Sequence, residues 1–188
     1  MQGQEPIVSK NSRIRHPDCF DVGRNSIVDD FCYFSARIRI GMFCHVASGC
    51  SVAGGVGYQF TLGDFSSLSS GVKIWCASND FVDDLVTLAV PGLDIGDDLI
   101  RGDVVLGAMS GVGANSVVMP ANTIPEGTVV GALSFVPAGC ELEAWSVYAG
   151  IPVRLIKRRN RDQVLAQRDR IVRELGLGSA RLSGEPPS

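Results

Sequence analysis

Counting in sixes from Val22 meets an apolar residue at every step. The positions are Val22, Val28, Phe34, Ile40, Val46 and Val52, then Leu62, Leu68 and Ile74 after a break at 54–58. A longer interruption follows, and then come Leu106, Val112, Val118, Ile124, Val130 and Val136. With 45% of residues apolar, fifteen hits in fifteen would arise by chance roughly once in 10^5 trials before any choice of register. A second pattern is independent of the first. Four residues after most of these apolar positions comes a small side chain, as in Ser26, Cys32, Cys44, Cys50, Ser66, Ser78, Ser110, Ser116, Thr128, Ser134 and Cys140. The residue directly after the apolar one is often Gly or Ala, as a close approach of backbones requires. Six fits neither the 3.6 period of an α-helix nor the 2 of a half-buried strand. It fits a short flat strand plus a corner, three of which close a triangular coil of about 18 residues. An antiparallel sandwich would need alternation and turns every 8–12 residues, which are absent.

The expected fold is therefore all-β, a parallel β-helix of about five coils over residues 22–141. Residues 80–105 break the register with Asp, Gly and Pro and are expected to form an inserted loop. Residues 1–21 are expected to be a separate N-terminal segment. Residues 142–177 are expected to form a turn and a helix, with Val164, Leu165, Ile171, Val172 and Leu175 on one stripe closing the open end of the prism. The tail 178–188 has the composition of a disordered segment.

A net charge of −3 and a pI near 5.3 imply no basic face for nucleic acid. No apolar run reaches the roughly 18 residues of a membrane span, and Met1 to Lys10 lacks a signal-peptide pattern. The expected compartment is the cytosol. Six cysteines fit no zinc spacing and are expected to be reduced and mostly buried.

The repeat resembles that of the hexapeptide-repeat superfamily, whose prism is a left-handed β-helix. The segments HVASGCSVAGGVG (45–57), LGDFSSLSSGVKIWCASNDF (62–81), RGDVVLGAMSGVGANSVVMPANTIPEGTVVGALSFV (101–136) and WSVYAGIPVRLIKRR (145–159) are similar to those of bacterial sugar O-acetyltransferases of surface-polysaccharide (O-antigen, lipopolysaccharide or exopolysaccharide) biosynthesis. The resemblance implies a homotrimer with active sites between subunits and acetyl-CoA as the donor, with no metal. It also implies that a groove along the later coils takes the pantetheine arm, here at Gly113, Ala114, Ala132, Ser134 and Gly150. Lys157 and Arg158 would then meet the phosphates.

Acyl transfer from a thioester needs an acceptor, a base for its proton and donors for the oxyanion. No activated Cys–His pair is evident, so direct attack in a ternary complex is expected rather than an acyl-enzyme. Many family members carry a His near the start of the insertion, where this chain has Asn79 and Asp80. His45, in an HxA stretch before the Gly54–Gly55 turn, is then the candidate base, with substrate binding or a plain surface role as alternatives. His16, before Pro17, is given no catalytic role. Asp80 could orient a His, bind hydroxyls or act as base; Asn79 and Trp75 are candidate acceptor-binding residues. The leading reading is O-acetylation of a saccharide or sugar nucleotide. The alternatives are N-acetylation of a nucleotide-linked amino sugar and a non-catalytic scaffold. A zinc hydratase of the same fold would need three His, and only two exist.

Overall fold

The structure is a computed structural model and describes residues 4–80 and 99–176. Three parallel sheets form the sides of a left-handed prism. Face one stacks the strands Ile7–Val8, Ile27–Val28, His45–Val46, Ser67–Leu68, Gly111–Val112, Val129–Val130 and Ser146–Gly150. Face two stacks Arg13–Ile14, Tyr33–Phe34, Ser51–Ala53, Lys73–Trp75, Val117–Val118 and Phe135–Val136. Face three stacks Phe20–Val22, Arg37–Ile40, Gln59–Leu62, Val104–Leu106 and Asn122–Ile124.

The six-residue columns are real. Fourteen of the fifteen apolar positions are at most 2% exposed; the exception, Val22, packs against the core near its N-terminal end. Burying each such side chain is worth about 1.5–3 kcal/mol. Regular coils pair residues 18 apart, as in Ile27 with His45 and Val117 with Phe135. The extra residues at 54–58 and the insertion leave the columns undisturbed, because His45 pairs with Ser67 and Ser67 with Gly111.

The small residues four places on clip each coil to the next. Ser26 Oγ donates to the Gly41 carbonyl at 2.8 Å and accepts from Cys44 N at 2.9 Å. Ser116 Oγ does the same with Gly131 O and Ser134 N. The cysteines of this column follow suit, Cys44 Sγ lying 3.1 Å from Gly63 O and Cys50 Sγ 3.1 Å from Ser69 O. Their slot is that of a weak donor rather than a purely apolar filler. All six thiols are free. The glycines directly after the apolar positions sit under the next coil: a Cβ on Gly113 would lie 2.3 Å from Ala132 N. The left-handed backbone falls two residues later, at Asn25, Phe43, Phe65, Met109, Asn115 and Leu133 among others.

The prism has about six coils, not five. The first runs from Ile7 and lies within the segment 1–21 that was expected to stand apart. A 3-10 turn, Pro17–Cys19, adds two residues to its last corner, so the column steps from Val22 to Ile14 and Val8 rather than to His16 and Lys10. The stem of the insertion is an antiparallel ribbon of Ala77–Asn79 with Leu99–Arg101; residues 81–98 of the expected loop and the tail beyond 176 lie outside the described residues.

At the far end a strand, Val153–Arg158, folds back antiparallel on Ser146–Gly150. This strand takes up the first part of the segment expected to be helical. The helix begins only at Arg161, where the Asn160 side chain accepts from Gln163 N at 3.1 Å as its N-cap. Val172 is its one buried residue. The end of the core is covered instead by Cys140, Leu142, Tyr148 and Val153.

Candidate active site

His45 stands on the outer side of face one, between Ile27 and Ser67 on the neighbouring coils. Its Nε2 lies 2.8 Å from Asp29 Oδ2, and both side chains are roughly half exposed. The inward partner, Val46, is fully buried, so alternation along the strand fixes the imidazole outward. If Nε2 carries the proton shared with Asp29, Nδ1 offers a lone pair to solvent or substrate. A carboxylate that holds an imidazole in one tautomer suits general-base work. Asp29 was not singled out by the sequence. It is 16 residues from His45 and becomes a neighbour only through the coil, one position past Val28 where His45 is one before Val46.

Trp75 ends a strand of face two, beside Ala53, and is half-buried. Asn79 closes the ribbon opposite Leu99, and Asp80 follows it. One chain therefore does not bring the acceptor-site candidates together. His45 is on face one, Trp75 on face two, and Asn79 and Asp80 on the stem that leaves the corner between faces two and three.

The residues expected along the donor groove divide. Gly113, Ala114 and Ala132 lie at the corner between faces one and two on successive coils, half-buried or exposed. Gly150, at a φ of 110°, is exposed in the hairpin at the end of the same face. Lys157 is exposed on the last strand, opposite Val147. Arg158 is committed elsewhere: it donates to Ser146 Oγ at 2.8 Å and pairs with Glu143. Ser134 is 2% exposed, and its hydroxyl accepts from Gly150 N at 3.1 Å. Its side chain belongs to the interior clip column, so it can shape the groove only by holding Gly150. The resemblance gave Ser134 to the donor groove, while its place four residues after Val130 marks the inward slot that its side chain occupies.

Burial pushes the Cys44 and Cys76 thiols up to about 12, which removes them as nucleophiles at neutral pH. Among the described residues no group of three or more His, Cys, Asp or Glu could hold a metal ion, and no helix is long and apolar enough to cross a membrane.

No family model matches the chain. It is 30% identical over 162 residues to a dTDP-4-amino-4,6-dideoxy-D-glucose acyltransferase of Escherichia coli, a match that spans 85% of this chain and 82% of the relative. Its fold superposes on AntD, an N-acyltransferase from Bacillus cereus solved with dTDP and 3-hydroxybutyryl-CoA, with a TM-score of 0.82, 30% identity, and 93% and 90% of the two chains covered. A hexapeptide-repeat acetyltransferase from Vibrio cholerae shares the fold, with a TM-score of 0.61 at 20% identity over 76% of each chain.

Proposed function

Because the chain belongs to the hexapeptide-repeat acyltransferases, enzymes that draw on a coenzyme A thioester, we propose that it acylates the amine of a nucleotide-linked amino sugar. The observation that carries this is the near full-length likeness to one protein named as an acyltransferase of a dTDP-linked amino sugar and to another named as an N-acyltransferase and solved with dTDP. N-acylation, the second choice on sequence alone, thereby moves ahead of O-acetylation of a saccharide. The acyl group need not be acetyl, since AntD was solved with 3-hydroxybutyryl-CoA.

In the proposed reaction the neutral amine attacks the thioester carbonyl and forms the C–N bond. The tetrahedral oxyanion collapses, the C–S bond breaks, and coenzyme A leaves as its thiol after taking up a proton. The amine's surplus proton passes to a base. His45 Nδ1, with Nε2 held by Asp29, is our candidate for that role. Asp80 is the second. AntD was also crystallised with a serine or an aspartate replaced, two residues ten positions apart in that chain. In this chain Ser70 is the only Ser followed ten positions later by an Asp, Asp80, and Ser70 is exposed at the corner between faces one and two.

The separation of these residues over different faces supports an assembly in which one subunit supplies His45 or Ser70 and its neighbour the Asn79–Asp80 stem. We propose a homotrimer on that ground. The donor groove would run past Gly113, Ala114 and Ala132 to Gly150, with Lys157 facing the phosphates. We further propose that the reaction takes place in the cytosol and that its product feeds surface-polysaccharide assembly.

The test is product chemistry. The enzyme is incubated with acetyl-CoA and dTDP-4-amino-4,6-dideoxyglucose and the product is treated with hydroxylamine. An acylated product that survives treatment is the amide; one that loses its acyl group is an ester and restores the O-acetyl reading.

A further inference from the structure

Two buried nucleophiles take no part in the reaction above. Cys32 and Cys50 are 2% and 0% exposed and occupy the same slot on successive coils. The register that pairs Tyr33 with Ser51 and Phe34 with Val52 sets them side by side, and Tyr33 N donates to the Cys50 carbonyl at 2.9 Å. Their backbones are one strand spacing apart, about 4.8 Å. A disulfide spans roughly 4.4–6.8 Å between Cα atoms. No other two cysteines stack this way: Cys44 stands between Ser26 and Ser66, Cys140 beside Asn122, Cys76 beside Gly54 and Cys19 beside Arg37.

The two thiols are not equivalent. Cys32 Sγ lies 3.3 Å from the Ala47 carbonyl and Cys50 Sγ 3.1 Å from the Ser69 carbonyl. The Cys50 side chain is also within hydrogen-bond reach of Cys32, and its S–H holds the Cys32 thiol down to about 7. Burial opposes that shift, while the Cys50 amide and the Ser12 hydroxyl support it. Cys50 moves the other way, because it keeps the shared proton and is buried. An easily ionised sulfur beside a protonated one is the arrangement of an attacking thiol and a resolving thiol.

Access favours the same member of the pair. Toward the N-terminal end Cys32 is covered by the first coil alone, where Ser12 Oγ accepts from its N–H at 3.1 Å. Elements at the end of a fold open more readily than those in its middle. An oxidant close to water in size reaches Cys32 through such openings, whereas a bulkier alkylating reagent is kept out.

We propose that Cys32 and Cys50 form a peroxide-sensitive dithiol, a modification site that closes to a disulfide between the second and third coils. The Cys32 thiolate attacks one oxygen of hydrogen peroxide. The S–O bond forms, the O–O bond breaks, and hydroxide leaves to become water with the proton that Cys32 released. The Cys50 sulfur then attacks the Cys32 sulfur. The S–S bond forms, the S–O bond breaks, and the hydroxyl departs as water with the Cys50 proton. Two thiols are oxidised and one peroxide is reduced to two waters. A dithiol reductant reverses the change by exchange. The bridge ties together the two coils across which His45 meets Asp29. The site does not depend on the identity of the acceptor.

The test uses the full chain in a Cys19→Ser/Cys140→Ser background, which removes the two thiols that are not buried and leaves four. Reduced protein, its folding verified by circular dichroism, is treated with hydrogen peroxide and then denatured in iodoacetamide. Tryptic digestion and mass spectrometry follow. Two of the four thiols should escape alkylation, with peptide 25–37 joined through Cys32 to peptide 40–73 through Cys50. Cys44, in the second peptide, should be alkylated, and dithiothreitol should free both bridged thiols. Adding Cys50→Ser should leave Cys32 as a sulfenic acid that dimedone traps. Adding Cys32→Ser should leave Cys50 open to alkylation. Four alkylated thiols after peroxide would overturn the proposal, as would a bridge to Cys44 or Cys76. Oxidation of Cys50 undiminished by Cys32→Ser would overturn it too, since Cys32 would then not be the attacking sulfur.

Discussion

The indole of Trp145 occupies the space that a side chain at residue 127 would need. A Cβ built on Gly127 would fall 2.3 Å from the Trp145 ring, one coil away. Arg161 lies over the same ring, 5.5 Å from its centroid. Arg159 Nη1 donates to the carbonyls of Met109 at 2.5 Å and Gly127 at 2.9 Å. These contacts fasten the C-terminal segment to the corner between faces three and one.

Gly127→Ala should therefore destabilise the fold by about 1–3 kcal/mol, from overpacking and from a φ of 69° that alanine adopts poorly. Gly57→Ala is the control: a Cβ there meets nothing within 4 Å and its φ is not in the left-handed region, so its effect should stay within about 0.5 kcal/mol. Denaturant unfolding of both variants checks the contrast.

Arg159→Ala removes the donor to two carbonyls of a partly buried clamp, where burial already lowers the guanidinium pKa. A loss of about 1.5–3 kcal/mol is expected, with earlier proteolysis of the C-terminal helix. Arg159→Lys should recover only part, since an ammonium cannot reproduce the planar fork. Full recovery by lysine would show that charge alone matters.

His45→Ala should lower turnover by about 10^2-fold or more if the imidazole takes the amine proton. Asp29→Asn should give a smaller loss of the same kind, because it disturbs the tautomer while leaving His45 in place. Steady-state rates with oligomer size measured alongside test this; unchanged kcat in His45→Ala would pass the role to Asp80.

The thiols give a pH prediction. Burial raises Cys44 and Cys76 to about 12, against roughly 8.5 in an unfolded chain. Their neutral forms favour the native state fully below about pH 8.5, and that contribution erodes as pH rises above it. Melting temperature should fall from pH 9 to 11, less steeply in Cys44→Ala/Cys76→Ala. Native alkylation at pH 8 should mark Cys19 and Cys140, the two that are not buried, and spare the other four.

How much of this was legible in the sequence follows from which contacts are periodic. Val118 and Ile124 announce their columns because the coil returns them to the same slot. The first coil was hidden because the turn at Pro17–Cys19 shifts its column by two residues. The strand at Val153–Arg158 was hidden because its charges read equally well as a helix start, and only the Asn160 cap places the boundary. Left-handed corners at Phe43, Phe65 and Leu133 carry no glycine signature. Asp29 stayed unread because its tie to His45 crosses from one coil to the next, and Ser134, given to the donor groove by resemblance, already held an inward place in the repeat.

Under the proposed function the chain passes an acyl group from coenzyme A to a nucleotide-linked amine, and free thiol release measures this transfer directly. With acetyl-CoA in excess and limiting dTDP-4-amino-4,6-dideoxyglucose, one coenzyme A thiol should appear per amino sugar, and almost none without it. Thiol release that is absent, or that ignores the amino sugar, would contradict the account.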